Sequence, residues 1–379
     1  MFALALGEEY YIKMLDSLYI KNFRLFKALE IERLGRVNLI VGKNNSGKSC
    51  LLEALYIYAK NASPRILYEL IEERGENWAD IMQQEPSITE SPFCHVFHGY
   101  QLPELGSHGI EIGSLKQIKN RVKLHLYAYR TIENEAERRL VRINQQQLSE
   151  INDAELVIEV EEGGEFKFRF SITESSTTNR WRLPKNAETK QNVLHVPTKQ
   201  LNDDTVAELW DRILLSPSLE EEVKNGLRLI DDTIQKIVVV GRRREIPMLI
   251  YENNKKQLPL KSLGDGATHL FHIILALVNA RDGFLLIDEF ENGLHYTIQP
   301  QVWDFVFKFA THLNVQVFAT THSWDCITAF QTASQNSKEE SILFRLGRSA
   351  RKSNQGYVIA TAYDKHRLQT VTQAELEVR

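Results

Sequence analysis

The sequence predicts an α/β fold: a mixed sheet, an antiparallel β-subdomain and a helical insertion. Three observations carry this reading. A continuous apolar run, Val37 to Val41, ends in a glycine loop that leads into a stretch of helical spacing. From Leu263 onward, buried-type strands alternate with apolar-faced helices, the pattern of a largely parallel sheet. Between these two regions lie alternating segments and a Gly-Gly turn that suit antiparallel strands.

Taken in order, residues 1–13 are expected to be a loose extension, with Met14 an alternative start just before the first strand-like segment. Phe2 to Leu6 is apolar, but it lacks a basic flank and is interrupted by Glu8 and Glu9, so it makes a poor signal peptide. Strands are predicted at Leu18–Ile20, Ala28–Ile31 and Val37–Val41, then a helix carrying Leu51, Leu52, Leu55, Tyr56 and Ala59. Residues 64–85 read as helical and acidic. Arg121–Arg130 alternates as a strand, and Leu156–Val160 and Phe166–Ile172 flank Gly163-Gly164 as a hairpin would. The charged, glutamine-rich stretch 131–153 reads as an exposed helix or loop. Residues 201–236 carry helical spacing and many acids, and Ile237–Val240 and Met248–Tyr251 return to strand character. A glycine-rich turn, an apolar helix (Phe271 to Val278), a strand (Phe284–Ile287), a helix (Ile298–Phe309) and a strand (Val315–Ala319) follow. The expected divisions are an extension at 1–13, an N-terminal lobe with the β-subdomain at 14–200, a helical insertion at 201–236 and a C-terminal lobe at 237–379.

A net charge of -4 gives no global attraction to nucleic acid or anionic membrane, so any such contact must come from a local patch. The three cysteines, Cys50, Cys94 and Cys326, form no C-x-x-C pair, which argues against a disulfide framework and suits a reducing compartment. No apolar run approaches the roughly 20 residues of a membrane span. A soluble cytoplasmic protein without a membrane partner is the expectation.

Gly42-Lys43-Asn44-Asn45-Ser46-Gly47-Lys48-Ser49 fits G-x-x-x-x-G-K-[ST] between a predicted strand and a predicted helix. Glycines let backbone N–H groups close around phosphate oxygens, and the following helix offers its positive end to the anion. Lys48 would reach the β- and γ-phosphates, and Ser49 would ligate magnesium. The apolar strand Phe284–Ile287 ends in Asp288 and Glu289: one carboxylate suits the metal, the other suits orienting or deprotonating a water. Acids at strand ends also serve merely to solvate a loop or cap a helix, and the phosphate loop in the same chain favours the chemical reading. His322, after the next buried strand, is placed to hydrogen-bond a γ-phosphate.

With these residues in view, the chain resembles the ABC-ATPase head (a P-loop NTPase) of the SMC, RecF and OLD-like group, most closely the small AAA family ATPases. Leu18-Tyr19-Ile20-Lys21-Asn22-Phe23-Arg24 is similar to the opening of these proteins, where the arginine approaches the nucleotide. Ser262-Leu263-Gly264-Asp265-Gly266 resembles their signature loop, Glu291-Asn292-Gly293-Leu294-His295 their D-loop and His322 their switch histidine. The resemblance implies ATP and Mg2+ as cofactors. Nucleotide contacts would come from Arg24, Gly42, Asn44, Asn45, Ser46, Gly47, Lys48, Ser49 and Cys50. They would be completed by Ser262, Gly264, Asp265 and Gly266 of the opposite subunit. Ser49 and Asp288 would hold the metal, and Glu289, Lys48 and His322 would act in catalysis. Gln83 and Gln84 are candidates for the glutamine loop. The segment Phe93–Tyr100 resembles a stretch of these ATPases without an evident physical role.

The gap of about 200 residues between the two halves lacks sustained heptads, unlike an SMC coiled coil. A nuclease domain like that of OLD proteins is not expected from these residues. The resemblance therefore implies an ATPase that forms an ATP-sandwich homodimer, or a higher even-numbered assembly. It would act as the sensor or regulatory subunit of an antiphage or toxin-like system with a separate effector protein. The alternatives are a DNA-repair or DNA-clamping ATPase, with Arg242-Arg243-Arg244, Lys255 and Lys256 as candidate phosphate contacts, and a non-hydrolysing scaffold.

Overall fold

Apolar runs bounded by glycine and turn residues become strands, and one run serves two cores at once. In the strand Val37–Val41 every residue is buried, yet Val37, Leu39 and Val41 pack into one hydrophobic cluster and Ile40 into another. Residues alternate across a pleat, so a strand buried on both faces feeds two cores. The computed structural model describes residues 14–76, 91–107, 109–134, 137–148, 154–172, 189–214, 216–240, 246–251 and 257–374.

Strands are numbered along the chain, with β1 Leu18–Phe23, β2 Phe26–Ile31, β3 Val37–Val41, β4 Ile110–Gly113, β5 Val122–Asn134 and β6 Glu137–Ile143. They continue with β7 Ala154–Glu162, β8 Glu165–Ser171, β9 Asn192–Val196, β10 Ile234–Val240, β11 Ile246–Tyr251 and β12 Gln257–Pro259. The last four are β13 Gly283–Ile287, β14 Gln316–Thr320, β15 Ser341–Arg348 and β16 Val358–Tyr363.

The central sheet has six strands in the order β16-β15-β3-β14-β13-β9. All its neighbours are parallel except the edge pair β15/β16. One face is covered by helices 203–214, 217–227, 265–279, 299–312 and 324–336, the other by helices 48–59 and 64–73 and the antiparallel sheet. That second sheet, β2-β1-β4-β5-β7-β8 with β6 on β5, is antiparallel throughout. A small third sheet, β10-β11-β12, follows the helices at 203–227. The expected α/β architecture with a mixed sheet and an antiparallel β-subdomain is what the structure shows. No helix among the described residues is long and apolar enough to cross a membrane.

Several elements differ from expectation. The stretch 131–153 is not a helix or loop at its start. It continues β5 and returns as β6, with Ala128 opposite Ile143 and Arg130 opposite Val141. Its charges obscured the β-branched residues that pair across the hairpin, and among its described residues only Gln145–Leu148 is helical. Of the predicted helix at 64–85, Pro64–Glu73 is helical, started by proline at its first position, and residues 77–85 lie outside the described residues. Strands β9, β15 and β16 were not anticipated, because short runs such as Asn-Val-Leu-His-Val carry too little periodicity. The 1–13 extension, Gln83, Gln84, Arg242, Arg243, Arg244, Lys255 and Lys256 lie outside the described residues.

Two histidines buried on the helix Asp265–Asn279 give the fold an acid limit. Burial pushes both His269 and His272 down from 6.5 to about 4. Nδ1 of His272 accepts a hydrogen bond from the backbone N–H of Leu201 at 3.2 Å, a role open only to the unprotonated nitrogen. The folded-state pKa lies below the unfolded one, so the unfolded chain takes up protons first. Stability is therefore lost as pH falls from about 6.5 towards 4, by roughly 3 kcal/mol per histidine. Urea unfolding at pH 7 and pH 4.5 is expected to show this loss, and His269→Leu to remove about half of it. An unchanged pH slope in that variant would rule the explanation out.

Candidate functional site

The loop between β3 and the helix Lys48–Ala59 is set by tight backbone packing. Gly47 has φ of 102°, in the left-handed region, and a Cβ there would lie 3.0 Å from the Phe26 ring. The backbone N–H of Ser46 donates to Lys43 O at 3.1 Å, closing the turn. Lys43, Asn44 and Asn45 stand exposed at the rim, while Gly42, Ser46, Gly47 and Cys50 are buried. The Lys48 ammonium folds back over the loop, donating to Gly42 O at 2.9 Å and Lys43 O at 3.3 Å. Burial lowers its pKa, against the opposing pull of Asp288, Glu289 and Glu291. A cavity of about 450 Å³ adjoins Lys43–Ser46 on the side of β15 and β16.

Parallel pairing of β3, β14 and β13 brings the acidic strand end to this loop. Ser49 Oγ donates to Asp288 Oδ2 at 2.9 Å, although the two residues are 239 positions apart. Thr320, at the end of β14, donates from Oγ1 to Asp288 Oδ1 at 2.5 Å. The same hydroxyl accepts the backbone N–H of Glu289 at 2.9 Å. One hydroxyl thus holds the Asp288 carboxylate and the Glu289 backbone. Glu289 itself has φ of 53°, uncommon for a side chain with a Cβ and a form of local strain that collects at functional sites.

His322 stands opposite. Its Nδ1 is 3.9 Å from Glu289 Oε1 and 3.4 Å from Glu291 Oε1. Its backbone N–H donates to Glu291 Oε1 at 3.1 Å. Lys48, Ser49, Asp288, Glu289 and His322 therefore gather at the open ends of β3, β13 and β14.

The proposed signature residues gather elsewhere. Ser262, Gly264 and Asp265 are exposed at the start of the helix Asp265–Asn279, and among the described residues no hydrogen bond joins Ser262–Gly266 to loop 42–49. Gly266 lies directly on the turn after β13: a Cβ there would sit 2.0 Å from Gly293 O. The absent side chains let the two backbones touch.

Arg24 departs from expectation. Its guanidinium is buried, with Nε 2.6 Å from Glu53 Oε2 and Nη1 2.8 Å from Glu76 Oε1. It is held between two carboxylates rather than turned towards the phosphate loop, because burial of a guanidinium demands such partners. Arg74 joins the cluster through Glu53, and burial pushes the Cys50 thiol up to about 11, leaving it unreactive at neutral pH. The segment at 93–100, without a role in sequence, forms short 3-10 turns that support this region. The backbone N–H of Arg24 donates to Val96 O at 3.1 Å, and His98 Nδ1 lies 2.9 Å from Arg24 O.

Thr320 and His195 were missed as site residues, and Glu291 was read only as the start of the D-loop resemblance. Thr320 could have been found from its strand-end hydroxyl beside Asp288. His195 sits on β9 opposite Leu286, where burial lowers its pKa and the charge of Asp288 opposes the shift.

What the arrangement can do chemically is bind a polyphosphate at the loop, hold a divalent cation beside it and present a carboxylate to water. Asp288 and Ser49 offer hard oxygen atoms 2.9 Å apart, and no cluster of three or more protein ligands occurs among the described residues. That donor set fits magnesium, which keeps waters and takes phosphate oxygens alongside one or two protein ligands.

Comparison with known proteins shows what the chain is similar to. The AAA ATPase domain family matches residues 14–212 and 185–327. An ATP/GTP phosphatase of Helicobacter pylori is 26% identical over 375 residues, covering 92% of this chain and 95% of that protein. The DNA replication and repair protein RecF of Clostridioides difficile is 45% identical over 51 residues, 14% of each chain. Among solved structures, an SMC head bound to the C-winged helix domain of ScpA aligns with a TM-score of 0.48 at 11% identity, covering 94% of this chain and 99% of that one.

Proposed function

The chain belongs to the AAA ATPase domain family and is an ABC-type ATPase of the SMC/RecF-like group, and from that premise we propose that it works as a magnesium-dependent, ATP-switched homodimer. The observation that supports this most is Asp288 held between Ser49 and Thr320 with Glu289 beside it, at the mouth of the phosphate loop. Bound ATP would draw the Lys48 ammonium from the carbonyls of Gly42 and Lys43 onto the β- and γ-phosphates. Ser49 and Asp288 would hold magnesium, which when bound neutralises charge on the β- and γ-phosphate oxygens.

Glu289 would take a proton from the attacking water. The water oxygen bonds to the γ-phosphorus, the bond to the β–γ bridging oxygen breaks, and ADP and phosphate result. His322 would contact the γ-phosphate and lose that contact when phosphate leaves. Ser262, Gly264 and Asp265 are exposed and Gly266 is half-buried, and among the described residues no hydrogen bond ties them to loop 42–49. They would complete the site of a second copy, so that ATP joins two chains and hydrolysis separates them.

In the cell, this switch would be the sensor or regulatory subunit of a defence system whose effector is a separate protein. A second reading, a DNA-repair or DNA-clamping ATPase, is favoured by the RecF similarity. The two are separated by DNA binding: affinity that falls steeply with salt supports the clamp, whereas a stoichiometric companion enzyme supports the sensor.

The ATPase switch is tested by measuring phosphate release and solution mass with ATP, with and without magnesium. Turnover that stops on chelation, and a shift from 43.8 kDa to twice that mass with ATP, are expected. Identical mass with and without ATP would remove the dimer switch.

A further inference from the structure

Glu291 stands behind His322 in a placement that packing alone does not explain. Its direction is set by Phe290, whose backbone N–H donates to Thr320 O at 3.0 Å and whose ring stacks on Trp303 at 3.7 Å between centroids. The Glu291 side chain is 12% exposed, against 56% for His322. Oε1 accepts from the His322 backbone and lies 3.4 Å from its Nδ1. Oε2 is buried and accepts no hydrogen bond from the described residues. A largely buried carboxylate with one oxygen unserved is a costly choice where an amide or apolar side chain would pack.

We infer that Glu291 is a positioning residue that orients His322 towards the γ-phosphate, an assignment that rests on the ATPase reading above. An imidazole can turn about its χ angles and present either nitrogen. A carboxylate on the Nδ1 side gives Nδ1–H a fixed acceptor and directs Nε2 outward. Phosphate oxygens only accept hydrogen bonds, so the nitrogen turned towards the phosphate has to serve as the donor. The backbone contact adds a second hold, tying the segment after β14 to the turn after β13. Lys48, His269 and Cys326 are other titratable groups on which the Glu291 charge acts, from the phosphate loop, the helix Asp265–Asn279 and the helix Trp324–Asn336.

The test is a double-mutant cycle on the purified full chain, reading kcat and KM for ATP separately. Glu291→Ala is expected to lower kcat about 10- to 100-fold with KM within about 3-fold, the size seen when an orienting partner is removed. Glu291→Gln keeps an acceptor oxygen at the same reach and is expected to fall between the two. In a His322→Ala background, removing Glu291 should cost no more than about 2-fold further, because its route of action is gone. Should Glu291→Ala fail to fold by thermal melt, the cycle is run with Glu291→Gln.

A wild-type kcat in Glu291→Ala would overturn the assignment. So would an undiminished effect in the His322→Ala background, which would mean that Glu291 acts independently of the ring. Absence of turnover in the unchanged protein is a different failure: it sinks the ATPase reading, and this inference with it.

Discussion

Replacing Glu289 with glutamine is expected to lower ATP turnover by about 100- to 10,000-fold, the range a positioned general base contributes. The substitution is nearly isosteric. It leaves the backbone N–H of Glu289 donating to Thr320 Oγ1, and any residue with a Cβ faces the same φ of 53° there. Lys48, Ser49 and Asp288 are untouched, so ATP should still bind. An amide cannot take the proton from water, and the chain should therefore accumulate in its ATP-bound dimer. Phosphate release measures the first effect and light scattering with ATP the second. Turnover within about 3-fold of the unchanged protein would reassign the base, since so small a change lies far below the contribution of proton transfer.

Lys48→Ala should have the other large effect, on binding. A hydrogen bond to a charged group contributes about 1.5–3 kcal/mol. Losing contacts to both the β- and γ-phosphates would weaken ATP by roughly 100- to 10,000-fold. The apo protein should not suffer in parallel. Burial holds the Lys48 pKa below its usual value, so the folded state binds this proton less well than the unfolded chain. The ammonium therefore opposes folding at neutral pH, a penalty relieved as pH rises through the folded-state pKa towards 10.5. A melting temperature equal to or above that of the unchanged protein, together with lost nucleotide binding by calorimetry, is the expected pair of results. Retained affinity would mean that the loop binds phosphate through backbone N–H groups alone.

These two residues were readable in advance because their chemistry is local. A phosphate loop needs its glycines, lysine and hydroxyl within eight consecutive positions, and an acidic pair needs only to follow a buried strand. His322 stands out in sequence for the same reason, two residues beyond the end of β14. Arg24 shows the limit of that logic. Its place after Asn-Phe matched a pattern, but Glu53 and Glu76 decide where its guanidinium goes, and neither is near it in sequence.

Thr320 and Glu291 make the same point from the other side. Neither shows in sequence which side chain it meets. Thr320 matters because β13 and β14 pair in parallel with Ile287 opposite Ala319, which sets its hydroxyl beside Asp288. Glu291 matters because the turn after β13 meets the segment after β14. The hairpin β5–β6 was hidden differently: charge on its exposed faces masked a pairing pattern legible only against the partner strand.

By itself, the sequence determined the α/β class, the phosphate loop and the acidic strand end, since backbone geometry and apolar periodicity act over a few residues. Only the tertiary structure decided which groups meet: Ser49 with Asp288, Glu291 with His322, Arg24 with Glu53 and Glu76. The physical reason is that strand order and register, not nearness along the chain, bring these side chains within hydrogen-bonding reach.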